Sequence, residues 1–254
     1  MQLHYQSLGQ GRPLIILHGL FGSSTNWNTL SKGLAAHYRV LAVDQRNHGA
    51  SPHTDDLSYA LLAEDLREFM QQQSLESAYL LGHSMGGKTA MEVALRYPAA
   101  VERLIVVDIA PRPYPPHHDE ILDALCDLDL GAYRSRSELD AALAGRIPDL
   151  TTRQFLLTNA ARDESGGFRW KLNLPALERN YDQIVGGVAA GRSFQGPTLF
   201  VRGERSDYVQ PSDEPEIRAL FPQASIVTVA GAGHWVHAEA PAEFARLVRE
   251  FLPA

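Results

Sequence analysis

Cysteine is almost missing from this chain of 254 residues. Cys126 stands alone, so no internal disulfide can form. Its neighbours Leu125 and Leu128 predict a buried, inert helical thiol rather than a nucleophile. Positive charge is also in short supply. Twenty-three Lys and Arg face 30 Asp and Glu, a net charge of −7 that repels nucleic-acid backbones and anionic membranes at long range. A small neutral or apolar molecule fits that balance better. No apolar run approaches the ~18–20 residues of a bilayer span, and Met-Gln-Leu-His-Tyr-Gln has neither region of a signal peptide. A cytoplasmic protein without a membrane span is therefore expected, as a monomer or small homo-oligomer. Repeats and low-complexity tracts are absent too. What remains, 44% hydrophobic residues with 20 Gly and 15 Pro, suits one large α/β core carrying an insertion and excludes disordered and fibrous classes.

Short apolar runs at Leu14–Leu17, Val40–Val43, Tyr79–Leu81, Leu104–Val107, Leu199–Val201 and Ile226–Val229 have strand length and read as buried parallel strands. Between them apolar residues recur at helical spacing: Leu61, Leu62, Leu66, Phe69 and Met70, then Ala90, Val93, Ala94 and Tyr97. A third set, Phe244, Leu247, Val248 and Phe251, follows Pro241, a residue suited to a first helical turn. Alternating strands and helices predict a mostly parallel central sheet flanked by helices. The alternation stops over 111–195, which opens with Arg112-Pro-Tyr-Pro-Pro-His-His and holds no convincing strand. Leu-rich stretches at Ile121–Leu130, Leu139–Ile147, Phe155–Ala161 and Leu177–Val185 make this segment mostly helical. It is expected to be a cap over the sheet's C-terminal edge, where open α/β sheets bind ligands, with 1–110 and 196–254 forming the core.

Tyr79-Leu-Leu-Gly82-His83-Ser84-Met85-Gly86-Gly87 runs from a strand through G-x-S-x-G into a helix, the nucleophile-elbow pattern. The sharp turn lifts the Ser84 hydroxyl above the sheet, and the flanking glycines avoid side-chain collisions. Free amides at the helix start make the Met85 N–H a candidate oxyanion donor. Gly82 to Thr89 also satisfies the phosphate-loop pattern G-x4-G-K-[ST], and Leu104–Asp108 resembles the strand that carries a magnesium-binding Asp. That reading leaves His18-Gly19 and His234 without a role. In the elbow reading Lys88 and Thr89 merely belong to the helix's first turns.

His18-Gly19-Leu20-Phe21-Gly22 ends an early strand in a glycine turn, the place for a second oxyanion donor, for which Leu20 is chosen. A Ser hydroxyl needs a base, and His234, in the loop after the final strand, stands in the right chain order. His48, His117 and His118 read as packing or solvent residues, and His117-His118-Asp119-Glu120 is a poor metal site because adjacent residues rarely converge on one ion. Two strand ends offer the acid: Asp108, or Asp207 within Gly203-Glu-Arg-Ser-Asp-Tyr-Val.

His18 to Trp27, Asp44-Gln-Arg-Asn-His-Gly-Ala-Ser51, Gly82 to Thr89, Val107-Asp-Ile-Ala-Pro111 and Gly231-Ala-Gly-His-Trp-Val-His237 together resemble the α/β-hydrolase superfamily, in particular the small YbfF-like esterases and their abhydrolase-domain relatives. The resemblance covers nearly the whole chain apart from a generic cap. It implies ester or acyl-thioester hydrolysis without metal, nucleotide or other cofactor. The superfamily usually places its acid where this chain has Ser206. The YbfF-like pattern shares that serine and implies Asp108 as the acid. Asn47, where many relatives have Gly, implies only a local turn difference. A Ser nucleophile disfavours the dehalogenase and epoxide-hydrolase branches.

Substrate contacts are expected from Phe21, Trp235, His83, Phe155 and Trp170, forming an apolar acyl pocket, with Trp27, Tyr114, Phe168 and Tyr181 nearby or in the cap's own core. Arg134, Arg136, Arg153, Arg162 and Arg169 would meet a coenzyme A phosphate or, more simply, form a solvated face. A carbon–carbon bond hydrolase with the same three residues, a ligand receptor without turnover and, more distantly, the nucleotide hydrolase are the alternatives.

Overall fold

In a computed structural model, described for residues 1–163, 166–188 and 191–253, eleven α-helices and nine β-strands follow one another as the apolar periodicity requires. They are β1 (Tyr5–Leu8), β2 (Arg12–Leu17), α1 (Asn28–Leu34), β3 (Tyr38–Val43), α2 (Tyr59–Gln72), β4 (Ala78–His83), α3 (Met85–Arg96) and β5 (Val101–Val107). The insertion carries α4 (Asp119–Cys126), α5 (Arg136–Leu143), α6 (Leu150–Leu157), β6 (Ala160–Arg162), β7 (Phe168–Trp170), α7 (Leu174–Arg179) and α8 (Tyr181–Val185). The chain closes with β8 (Thr198–Gly203), α9 (Glu214–Leu220), β9 (Ala224–Val229), α10 (Val236–Glu239) and α11 (Pro241–Phe251).

Seven strands form one sheet in the order β1-β3-β2-β4-β5-β8-β9, parallel except where β1 pairs antiparallel with β3. The expected central sheet is therefore present, with one strand more than the apolar runs predict. β1 reads Tyr-Gln-Ser-Leu and lies at the edge, half-buried, so it carries no apolar run. Side chains alternate across the other strands. Ile15, Leu17, Leu41, Leu80, Leu104 and Val106 pack against α2 and α3, whereas Leu14, Ile16, Val40, Leu81, Ile105 and Val107 pack against α1 and α11. Ser58 caps α2 by accepting from Leu61 N at 3.3 Å.

The insertion differs from its expected helical pattern in one place and is shorter-stepped in another. β6 and β7 form an antiparallel hairpin, Ala160 opposite Trp170, where a helix through Ala161 was expected. Strands of three residues are too short to show a period of two. The stretch Leu177–Val185 is two helices, with Asn180 as C-cap of the first and N-cap of the second. A third apolar cluster joins Leu122, Leu125, Leu139, Leu156 and Leu177 of the insertion to Leu20, Phe21, Tyr59 and Met85 of the core. Cys126 is helical as expected but exposed, a correction to the buried reading. On a helix, a residue next to an inward Leu125 points about 100° away from it, so the leucine says nothing of the thiol's burial. No helix among the described residues is long and apolar enough to cross a membrane.

Candidate active site

Five segments that end parallel strands meet at one edge of the sheet. After β4, Ser84 adopts φ +53° and ψ −120°, a conformation that L residues rarely take, and its amide donates to Val107 O at 3.0 Å. The turn is tight enough that a Cβ on Gly82 would overlap the Gly86 carbonyl. The loop after β2 comes equally close: a Cβ on Gly19 would lie 3.2 Å from Ser84 Cβ. Among the described residues, the amides of Leu20 and Met85 donate to no protein acceptor, and neither does that of Phe21. His18 holds this loop. Gln45 N can only donate, so at 3.0 Å it fixes His18 Nε2 as acceptor and leaves Nδ1–H for Gly19 O at 2.8 Å. Burial lowers the His18 pKa and keeps the ring neutral.

Asp108 follows β5 with φ +52° and is fully buried. Its Oδ2 accepts from His234 Nδ1 at 2.7 Å and from the Ser206 hydroxyl, while Oδ1 accepts from Gly203 N at 2.9 Å. A neutral imidazole that donates from Nδ1 carries its lone pair on Nε2. Asp207, the other candidate acid, faces solvent, and among the described residues it accepts only from Gln210 Nε2, at 3.2 Å. Ser206 stands where the usual acid would, and it serves the carboxylate of the neighbouring strand end.

Ser84 and His234 line a cavity of about 310 Å³. Core residues on its wall include Leu20, Phe21, Trp27, His83, Trp235 and His237, and the insertion adds His117, His118, Ile121, Thr152, Phe155 and Leu156. Phe155 meets Trp235 with ring centroids 5.7 Å apart. Of the expected substrate residues, Phe21, Trp235, His83 and Phe155 border the cavity. Trp170 does not: it sits in the β6–β7 hairpin and packs with the insertion's own core. His117 and His118, read as packing or solvent residues, line the wall instead. His83 is partly committed elsewhere, since its Nε2 donates to the His234 carbonyl at 2.9 Å.

Two neighbours of His234 were not singled out from the sequence. Tyr208 stacks on its imidazole at 4.0 Å and 20°, and the Tyr208 hydroxyl meets His117 Nε2. His237 stacks on Trp27 at 4.1 Å. Burial holds His118 and His237 neutral, each pulled down to about 3, with other imidazoles nearby adding to the effect. His83 is lowered well below its ordinary value for the same reasons. No Arg, Lys, Asp or Glu borders the cavity among the described residues.

The residues that a phosphate loop would use are taken. Lys88 is buried with its ammonium on the Arg112 and Gly186 carbonyls, and burial followed by Arg112 lowers its pKa to about 7. Asp108 belongs to His234. Four of the insertion's arginines are likewise engaged: Arg134 with the Gly131 carbonyl, Arg136 with the Leu157 and Ala160 carbonyls, Arg153 with Asp140, and Arg162 with the Gly166 and Arg134 carbonyls.

A sequence profile of the alpha/beta hydrolase family matches residues 14–247. The chain is 44% identical over 247 residues to the sn-1-specific diacylglycerol lipase ABHD11 of Mus musculus, covering 94% of this chain and 80% of that protein. It is 34% identical over 248 residues to the esterase YbfF of Escherichia coli, covering 97% and 95%. The solved structure of a marine microorganism esterase superposes with a TM-score of 0.96 at 44% identity, over 99% of both chains.

Proposed function

The chain belongs to the alpha/beta hydrolase family, and within it we propose a serine hydrolase that cleaves carboxylic esters through an acyl-enzyme on Ser84. The observation that carries this reading is the 2.7 Å contact of His234 Nδ1 with the buried Asp108, beside a strained Ser84 on the same cavity wall. Ser84 attacks the ester carbonyl while His234 Nε2 takes the hydroxyl proton. Asp108 keeps the imidazole in the tautomer that can accept it and stabilises the imidazolium that results. The amides of Leu20 and Met85 hold the developing oxyanion. His234 then returns the proton to the leaving alcohol, and a water, activated in the same way, releases the acid and frees Ser84.

Relatives named esterase and lipase agree with an ester substrate. The wall chemistry narrows it. A cavity lined by apolar groups, imidazoles and small polar groups, with no Arg, Lys, Asp or Glu among the described residues, suits an uncharged ester, and about 310 Å³ is at the small end of ligand sites, which run from ~300 to ~1,000 Å³. The helical insertion acts as the cap that supplies the acyl side of this wall. Acidic diketones, the substrates of a carbon–carbon bond hydrolase, would enter with no cation to meet their carboxylates. An acyl thioester of coenzyme A is the weaker choice, because Arg134, Arg136, Arg153 and Arg162 already hold cap carbonyls and carboxylates.

Intact mass after incubation with a fluorophosphonate tests the reading. Native protein gains one adduct and Ser84→Ala gains none. Well-folded native protein without an adduct would overturn the serine mechanism and leave a receptor on this fold.

A further inference from the structure

Lys88 is 1% exposed, yet no carboxylate pairs with it among the described residues. Burying an ammonium without a counter-ion is costly, so its remaining partners carry the argument. Nζ donates to Arg112 O at 2.8 Å and to Gly186 O, with Val185 O at 3.5 Å. The ammonium also lies 4.7 Å from the Tyr114 ring centroid and 5.6 Å from that of Tyr59.

These partners share a place in the fold. Arg112 and Tyr114 lie where the chain leaves β5 for the insertion, and Val185 and Gly186 lie where α8, its last helix, ends. The two connections are bonded to each other by Tyr114 N to Val185 O at 2.8 Å and Val188 N to Pro111 O at 2.9 Å. Asp213 of the core ion-pairs with the Arg112 guanidinium at 2.7 Å, and among the described residues one core side chain bonds to both connections, that of Lys88. That side chain is on α3, one turn beyond Ser84, which forms the helix N-cap. Tyr59 on α2 adds a hydroxyl bond to Ile184 O at 2.6 Å.

We propose that Lys88 is a positioning residue: its ammonium holds both connections of the cap against the helix that starts at Ser84, and so fixes how the cap stands over the cavity. The proposal rests on the serine-hydrolase reading only for what the cap is positioned over. An apolar residue of equal length would fill the space but leave the Arg112 and Gly186 carbonyls without their buried donor. The cap would then pivot on its two connections. Substrates long enough to touch Ile121, Thr152, Phe155 and Leu156 would feel the change, and small ones would not.

Lys88→Met and Lys88→Arg in the full chain separate positioning from mere structure. Hydrogen exchange should speed up in 112–118 and 184–188 in Lys88→Met. Its kcat/KM for an eight-carbon nitrophenyl ester should fall about tenfold or more relative to that for the acetate, the scale expected when a substrate is displaced by less than an ångström. The rate of fluorophosphonate labelling should stay near that of native protein, and Lys88→Arg should recover part of the ratio. Unchanged exchange in both connections, or equal losses on both esters in step with Tm, would overturn the proposal. If Lys88→Met is insoluble, Lys88→Gln, which keeps a shorter, uncharged donor group, is read by the same two measures. A native protein that neither labels nor turns over ester would remove the serine mechanism, while the exchange result still decides whether Lys88 holds the two connections.

Discussion

Replacing Asp108 by Asn perturbs the candidate site at the atom where most of its contacts converge. Oδ2 of Asp108 serves His234 Nδ1 and the Ser206 hydroxyl, and Oδ1 serves Gly203 N. Asn retains an oxygen for Gly203 and is among the few residues at ease with a φ of +52°, so the backbone should hold. Its amide nitrogen, however, stands where Oδ2 stood. A donor facing His234 Nδ1 drives the imidazole proton to Nε2, and a protonated Nε2 cannot take the Ser84 proton. A wrong tautomer with intact geometry costs about 10^4-fold in kcat, or about 5 kcal/mol of transition-state stabilisation. KM should change little, because Asp108 does not border the cavity. Asp207→Asn removes only the exposed contact with Gln210 and should stay within about twofold of native protein. Initial rates on a nitrophenyl ester, with Tm as a control for folding, read both variants. A loss below about tenfold at Asp108, or a large one at Asp207, would refute the assignment of the acid.

Further expectations concern acid stability, the elbow and the cavity wall. His48 is fully buried, donates from Nδ1 to Arg46 O at 2.9 Å, and has its pKa lowered from 6.5 to about 3 by burial and then by His18. The unfolded chain takes up this proton near pH 6.5 and the folded chain only near pH 3, so the stability it contributes is complete above 6.5 and is lost as pH falls, by about 1.4 kcal/mol per unit. Chemical denaturation at pH 7.5 and 5 should show a steeper loss in native protein than in His48→Gln; parallel losses would mean that His48 titrates normally. Gly82→Ala should cost about 3 kcal/mol or more, because its methyl group would overlap the Gly86 carbonyl, and normal yield and Tm would contradict the tight turn. Phe155→Ala should widen the wall and shift the preferred acyl length, whereas Trp170→Ala should lower Tm and leave that preference alone. The reverse pattern would place Trp170 at the substrate.

The parts of the molecule that were legible in sequence are those where one local rule decides. Four-residue apolar runs such as Leu14–Leu17 have few homes other than a buried parallel strand, and Gly82-His-Ser-Met-Gly86 has few uses other than a sharp strand-to-helix turn. Where tertiary contacts decide, the letters are silent. Phe155 and Trp170 are both aromatic residues of the insertion, but only the register of the β6–β7 hairpin turns Trp170 into its core. Lys88 reads as one polar residue on an amphipathic helix until the two connections fold over it. His117 and His118 gain a place on the cavity wall only through the fold of the segment that follows.

The ambiguity between Asp108 and Asp207 has a geometric origin. β5 and β8 are adjacent parallel strands with Val107 opposite Val201, so their ends lie about 4.8 Å apart at the same height. A carboxylate carried on a short side chain at either end can reach an imidazole arriving from the loop after β9, and so sequence order alone admits both. What separates them is the local bonding. The chain bonds Asp108 N to Val201 O at 2.8 Å and Gly203 N back to Asp108 Oδ1, which locks this carboxylate across the strand pair. Ser206 then occupies the β8 position as a donor to the same carboxylate, and Asp207, one residue later, is carried outward to solvent. Ser206→Asp would put a second carboxylate against Oδ2 and, by like-charge repulsion, should weaken rather than restore an active pairing unless Asp108 is removed with it.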